Sequence, residues 1–153
     1  MNSVQLYEIL EKIKLKGYFN VLAFDQFLDL DLNTLSLPIC LIVNTRKMSH
    51  KGMHWFSLRI TENEVIYMNS LFCSPKICKS LFNKLNKLDK PIQYLNSRIQ
   101  SNKTTSCGNF CLVFIRFMTE WNDFDKFASL FKFNQFMFNE NVVSNMYKVY
   151  FVH

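Results

Sequence analysis

At 153 residues, with 49% apolar and 16% aromatic side chains against 20% charged, the chain has material for one core and is too apolar for intrinsic disorder. Three glycines and three prolines exclude long flexible linkers, and no apolar run approaches the ~18 residues of a membrane span. Eighteen basic against twelve acidic residues leave a net charge of +6, which permits contact with DNA or an acidic partner without requiring it.

The opening, MNSVQLYEILEKIKLK, mixes charge into every turn and lacks the apolar stretch of a secretion signal. Ser3 is expected to cap a first helix whose apolar face is Leu6, Ile9, Leu10 and Ile13, with Gly17 ending it. Residues 17–37 mix loop and short structure around Tyr18, Phe19, Phe24 and Phe27. ICLIVN after Pro38 is an unbroken β-branched run, a buried strand. A polar loop with one glycine follows over 44–53, then HWFSLRI and VIYMN around TENE, a hairpin with a solvated face. Ser74-Pro75 predicts the start of a helix burying Ile77, Leu81, Leu85 and Leu88. Ile92 to Leu95 is a short strand and 96–106 a polar loop. CGNFCLVFIRFMTEW from Cys107 is a nearly all-apolar central helix. Two more helices follow Asn122, the second over roughly 141–151. The expected fold is α+β: one domain over 1–153, with a small, mostly antiparallel sheet flanked by helices.

Histidine is scarce, so a catalytic imidazole has few candidates. His153 is terminal and His50 lies in a Lys-rich loop. His54 opens a strand after a loop and precedes Trp55, a position that fixes the backbone and leaves the ring accessible to act as a base. An ordinary surface histidine at a strand edge would look the same. Five cysteines, an odd number set mostly in apolar runs, fit buried thiols in a reducing compartment better than a disulfide framework. Cys107 stands out because a helix N-terminus favours a thiolate and would lower its pKa. Gly108 beside it allows close backbone approach. A buried, inert thiol is the competing reading, and it suits Cys111 better. Cys73/Cys78 and Cys107/Cys111 lack the tight spacing and glycine of a zinc knuckle, so no metal or other cofactor is expected.

The string GMHWFSLRI, then VIYMNS, then Gln100 followed by TTSCGNFCLVF, resembles the adenovirus-type cysteine proteases and their relatives in Polinton- and adintovirus-like elements. PICLIVNT and GYFNVLAFDQF extend the resemblance over residues 17–120, and the proteases of ubiquitin-like modifiers resemble it more distantly. What the resemblance implies is a cysteine endopeptidase whose central helix starts at the nucleophile. Cys107 would be that nucleophile, His54 its base, and Gln100 an oxyanion donor alongside the Cys107 backbone N–H. Gln93, the alternative donor, falls on the strand instead. The family has an acidic residue where this chain has Asn69, which can orient the imidazole but supplies no charge. Trp55 and Gly108 would line a narrow cleft for small residues, Gly above all, before the scissile bond.

By the same resemblance the substrates are viral precursor polypeptides of capsid or core, met in the virion and in the nucleus or cytoplasm of a host cell. The enzyme would be monomeric and free of membrane. Adenoviral members are stimulated by DNA and by a viral peptide held through a disulfide. No Cys stands between Lys79 and Ser106 to form that bond here, while the net charge leaves room for DNA. Two alternatives accompany this reading: a protease of SUMO- or ubiquitin-like modifiers on host conjugates, and an inactive protease-fold binding module.

Overall fold

A computed structural model describes residues 1–46, 54–72 and 74–153. The sequence expectations that fall on 47–53 and on Cys73, including the Lys-rich loop with His50 and the Cys73/Cys78 pair, lie outside the described residues.

Five strands form one mixed sheet in chain order: β1 (Phe19–Leu22), β2 (Ile39–Asn44), β3 (Trp55–Ile60), β4 (Val65–Met68) and β5 (Ile92–Tyr94). The two central pairings, β2 with β3 and β3 with β4, are antiparallel, and the two outer pairings are parallel. Side chains alternate across the sheet, so β2 serves two cores at once. Cys40 and Ile42 face a layer made by α1 (Ser3–Ile13), α4 (Cys107–Trp121), α5 (Phe124–Ala128) and α6 (Phe136–Phe151). Ile39, Leu41 and Val43 face a second layer with α2 (Phe24–Asp29) and α3 (Lys79–Asn86). Burial on both faces is why ICLIVN shows no polar alternation. It also overturns the solvated hairpin: β4 is buried throughout and β3 nearly so. Among the described residues, no helix is long and apolar enough to cross a membrane.

Local signals are displaced by a few residues. Asn2, not Ser3, caps α1: its Oδ1 accepts from the Gln5 N–H at 2.9 Å, and Gln5 Oε1 accepts from the Asn2 N–H at 3.0 Å. The helix ends at Lys14, left-handed at φ 56, rather than at Gly17. Gly17 answers a different need, since a Cβ there would lie 2.0 Å from the Pro38 carbonyl oxygen. Ser74-Pro75 opens a 3-10 turn (Pro75–Ile77) instead of the helix itself, because extended Cys78 interrupts the chain before α3. Ile77 is consequently 65% exposed, while Leu81 and Leu85 are buried as expected. The last helix begins at Phe136, a turn earlier than the sequence predicts.

Candidate active site

β3 and β4 are antiparallel, so the residue before β3 and the residue after β4 sit at the same end of the sheet. Those residues are His54 and Asn69, 5% and 2% exposed. His54 Nε2 lies 2.7 Å from Asn69 Oδ1. The orientation of the amide follows from its other partners. Asn69 Nδ2 donates to the Tyr67 hydroxyl at 2.7 Å, and Oδ1 accepts the backbone N–H groups of Leu71 and Phe72 at 3.1 and 3.0 Å. An oxygen therefore faces the imidazole, Nε2 carries the proton, and Nδ1 is left with its lone pair. Nδ1 is buried and has no hydrogen-bond partner among the described residues. Phe72 packs edge-on against the ring at 6.1 Å. Burial pushes the His54 pKa below its usual 6.5, and the bond to Asn69 pulls it back in part.

Cys107 is the first residue of α4, which packs on β3. The backbone N–H of Trp55, one residue from His54, acts on its sulfur together with the N–H groups of Gly108 and of Cys107 itself. The sequence predicts a lowered thiol pKa at this helix start. The structure reverses the sign: with 6% exposure, burial raises the Cys107 thiol above its usual 9.0 and outweighs the N–H groups. Both directions favour the uncharged forms, thiol and imidazole. The sulfur is not hydrogen-bonded to Nδ1. Cys111, one turn deeper, is fully buried with its pKa raised well above 9.0, as suits an inert thiol.

Gln100 is fully buried despite its polar loop. Ser70 donates to its Oε1 at 2.5 Å, and its Nε2 donates to the Thr104 carbonyl at 3.2 Å and hydroxyl at 3.1 Å. One hydrogen can serve both Thr104 acceptors in a bifurcated bond, which keeps the second hydrogen for another acceptor. Gln93 is occupied elsewhere, donating to Glu64. Trp55 is half-buried against the α4 layer. Gly108 is buried, and a Cβ there would approach Leu6 Cδ2 at 3.3 Å. A cavity of about 530 Å³ opens beside Gly108, between Met1 and the 103–106 loop. Among the described residues no group of His, Cys, Asp and Glu could hold a metal ion.

Tyr67, Ser70 and Thr104 were not singled out by the sequence reading. Tyr67 alone had a readable signal, since strand alternation puts it on the same face as Asn69.

No family model matches the chain, and no curated protein matches it. Among solved structures it is similar to the ASFV pS273R protease, at 18% identity and a TM-score of 0.46 over 68% of this chain and 42% of that one. It is also similar to AvrA delL154 with IP6 and CoA, at 16% identity and a TM-score of 0.49 over 94% of this chain and 53% of that one. The chain thus spans about half, 53% and 42%, of the length of these two structures.

Proposed function

We propose that the chain is a cysteine endopeptidase of the kind its motifs resemble, cutting viral precursor polypeptides in the virion or the infected cell. The observation that carries this reading is the imidazole of His54, with Nε2 bonded to Asn69 and Nδ1 unpartnered among the described residues, at the head of the strand on which α4, beginning at Cys107, packs. Such a ring can take one proton, on one nitrogen, from a thiol beside it.

In the proposed reaction the Cys107 S–H proton passes to His54 Nδ1 as the sulfur attacks the scissile carbonyl. The C–S bond forms and the carbonyl π pair moves to oxygen. The Cys107 N–H and the second Gln100 amide hydrogen stabilise that oxyanion. Collapse expels the amine, which takes the proton from His54. Water, deprotonated by His54, then hydrolyses the thioester and regenerates the thiol. Asn69 holds the ring in one tautomer through both half-reactions. Trp55 and Gly108 border the approach to the sulfur and favour small residues before the cut.

Wild type is to be compared with Cys107→Ala on co-expressed capsid and core precursors. Cleavage is expected with wild type and a loss of roughly 10,000-fold or more with the variant. Equal processing by both would refute the reading. Cleavage of modifier conjugates and reaction with a SUMO- or ubiquitin-vinyl probe would move the substrate to ubiquitin-like modifiers. Cys107 labelling by iodoacetamide no faster than that of the other thiols would leave an inactive binding module.

A further inference from the structure

Glu140, in the first turns of α6, reaches across to the loop that precedes the nucleophile. Its Oε1 accepts the Thr104 hydroxyl at 2.6 Å, and its Oε1 and Oε2 accept the Ser106 hydroxyl at 2.8 and 2.7 Å. Its buried neighbour Asn139 holds the other end of the loop, donating to the Ile99 carbonyl at 3.1 Å. One helical dipeptide therefore ties down both ends of the segment between Gln100 and Cys107.

Ser106 occupies the N-cap position of α4, where a serine hydroxyl ordinarily accepts the N–H of the second or third helical residue. Here it caps nothing: it has turned away and donates to Glu140 instead. The second and third helical residues are Gly108 and Asn109. A capping Ser106 would compete for these N–H groups. The Thr104 hydroxyl, donating to Glu140 and accepting from Gln100 Nε2, gives the same carboxylate a grip on the Gln100 amide.

We propose that Glu140 is a positioning residue for the cysteine centre, keeping Ser106 off the N-terminus of α4 so that its first N–H groups remain open to a substrate oxyanion. This rests on the endopeptidase reading above. A carboxylate near a helix N-terminus also steadies the helix as such, so the test must separate positioning from stability.

The test is binding of a peptide aldehyde ending in Gly, whose carbonyl adds the Cys107 sulfur and becomes an oxyanion, measured beside iodoacetamide alkylation, which makes none. In Glu140→Ala, aldehyde affinity and kcat are expected to fall about 10- to 100-fold with KM nearly unchanged, while Cys107 alkylation stays within about threefold of wild type. Glu140→Gln, which keeps one acceptor oxygen, is expected to lose less in the same direction, and it serves if the alanine variant does not fold. Adding Ser106→Ala to Glu140→Ala removes the competing cap and is expected to restore at least half of the lost affinity on a logarithmic scale. Unchanged affinity in both Glu140 variants, or a double variant no better than the single, overturns the role of Glu140 alone. A wild type that does not bind the aldehyde overturns the endopeptidase reading and this role with it.

Discussion

Asn69 Oδ1 and His54 Nε2 lie 2.7 Å apart, and the same oxygen accepts two backbone N–H groups from the turn that follows β4. One buried atom thereby orients the imidazole and closes the turn. In Asn69→Ala all three donors lose their acceptor. Turnover is expected to fall about 100-fold, and thermal stability to drop by about 1 to 3 kcal/mol, as the buried His54 N–H left unpaired would produce. Asn69→Asp keeps the acceptor and is expected to retain activity. A kinetically silent Asn69→Ala would remove Asn69 from the site.

Tyr67 holds the far end of the Asn69 amide, its hydroxyl accepting from Nδ2. Tyr67→Phe removes that partner and leaves a buried N–H unsatisfied. A loss of about 1 kcal/mol in kcat/KM, roughly fivefold, is expected. In an Asn69→Asp background the two carboxylate oxygens are equivalent and the loss should shrink. Steady-state kinetics on the four chains of this cycle provide the check.

The directions of the two pKa shifts fix the pH behaviour. His54 is held below 6.5 by burial, so imidazolium forms, and the base is lost, only at pH values under 6.5. The acid limb of kcat/KM should have its midpoint there. Asn69→Asp adds a negative charge that favours imidazolium, and the limb should move to higher pH. Cys107 is raised above 9.0, so its alkylation rate should still be climbing at pH 9.0. A plateau reached near neutrality would instead reveal a resting thiolate. Stability follows the same sign: a histidine whose folded pKa is depressed contributes stability above 6.5 and loses it as pH falls through the folded pKa. The decline in Tm between neutrality and pH 5 should flatten in His54→Gln.

Gly17→Ala tests a place where the backbone leaves no room. Its Cβ would sit 2.0 Å from the Pro38 oxygen and 2.9 Å from the Leu37 carbonyl carbon, both main chain. Relief requires the Leu37-Pro38 segment to shift against β2. Thermal unfolding is expected to show a loss of about 1 to 3 kcal/mol. An unchanged Tm would contradict the close approach.

What was legible in the sequence was local. ICLIVN and CGNFCLVFIRFMTEW became β2 and α4 with the expected bounds, because long apolar runs between polar breaks permit few other assignments. The segments holding His54 and Asn69 were found as strands, and their meeting follows from the antiparallel hairpin. Three things were not legible. The Cys107 pKa sign was missed because a helix N-terminus can be read from spacing, whereas the depth of its burial cannot. The hairpin's burial was missed because Ser57 and Arg59 look like an outward face, yet both are buried. Glu140 was invisible because its partners stand more than thirty residues upstream, with no periodicity linking them.

The chain order of the site carries a consequence for synthesis. His54 and Asn69 leave the ribosome first, as a hairpin whose imidazole has nothing to deprotonate. Cys107 emerges later, and Glu140, which steadies the segment in front of it, comes near the end. The sulfur acquires its neighbours only when α4 docks on β3, so the parts of the centre are inert until then. The proposed cutting therefore waits until Cys107 has been made and α4 has docked.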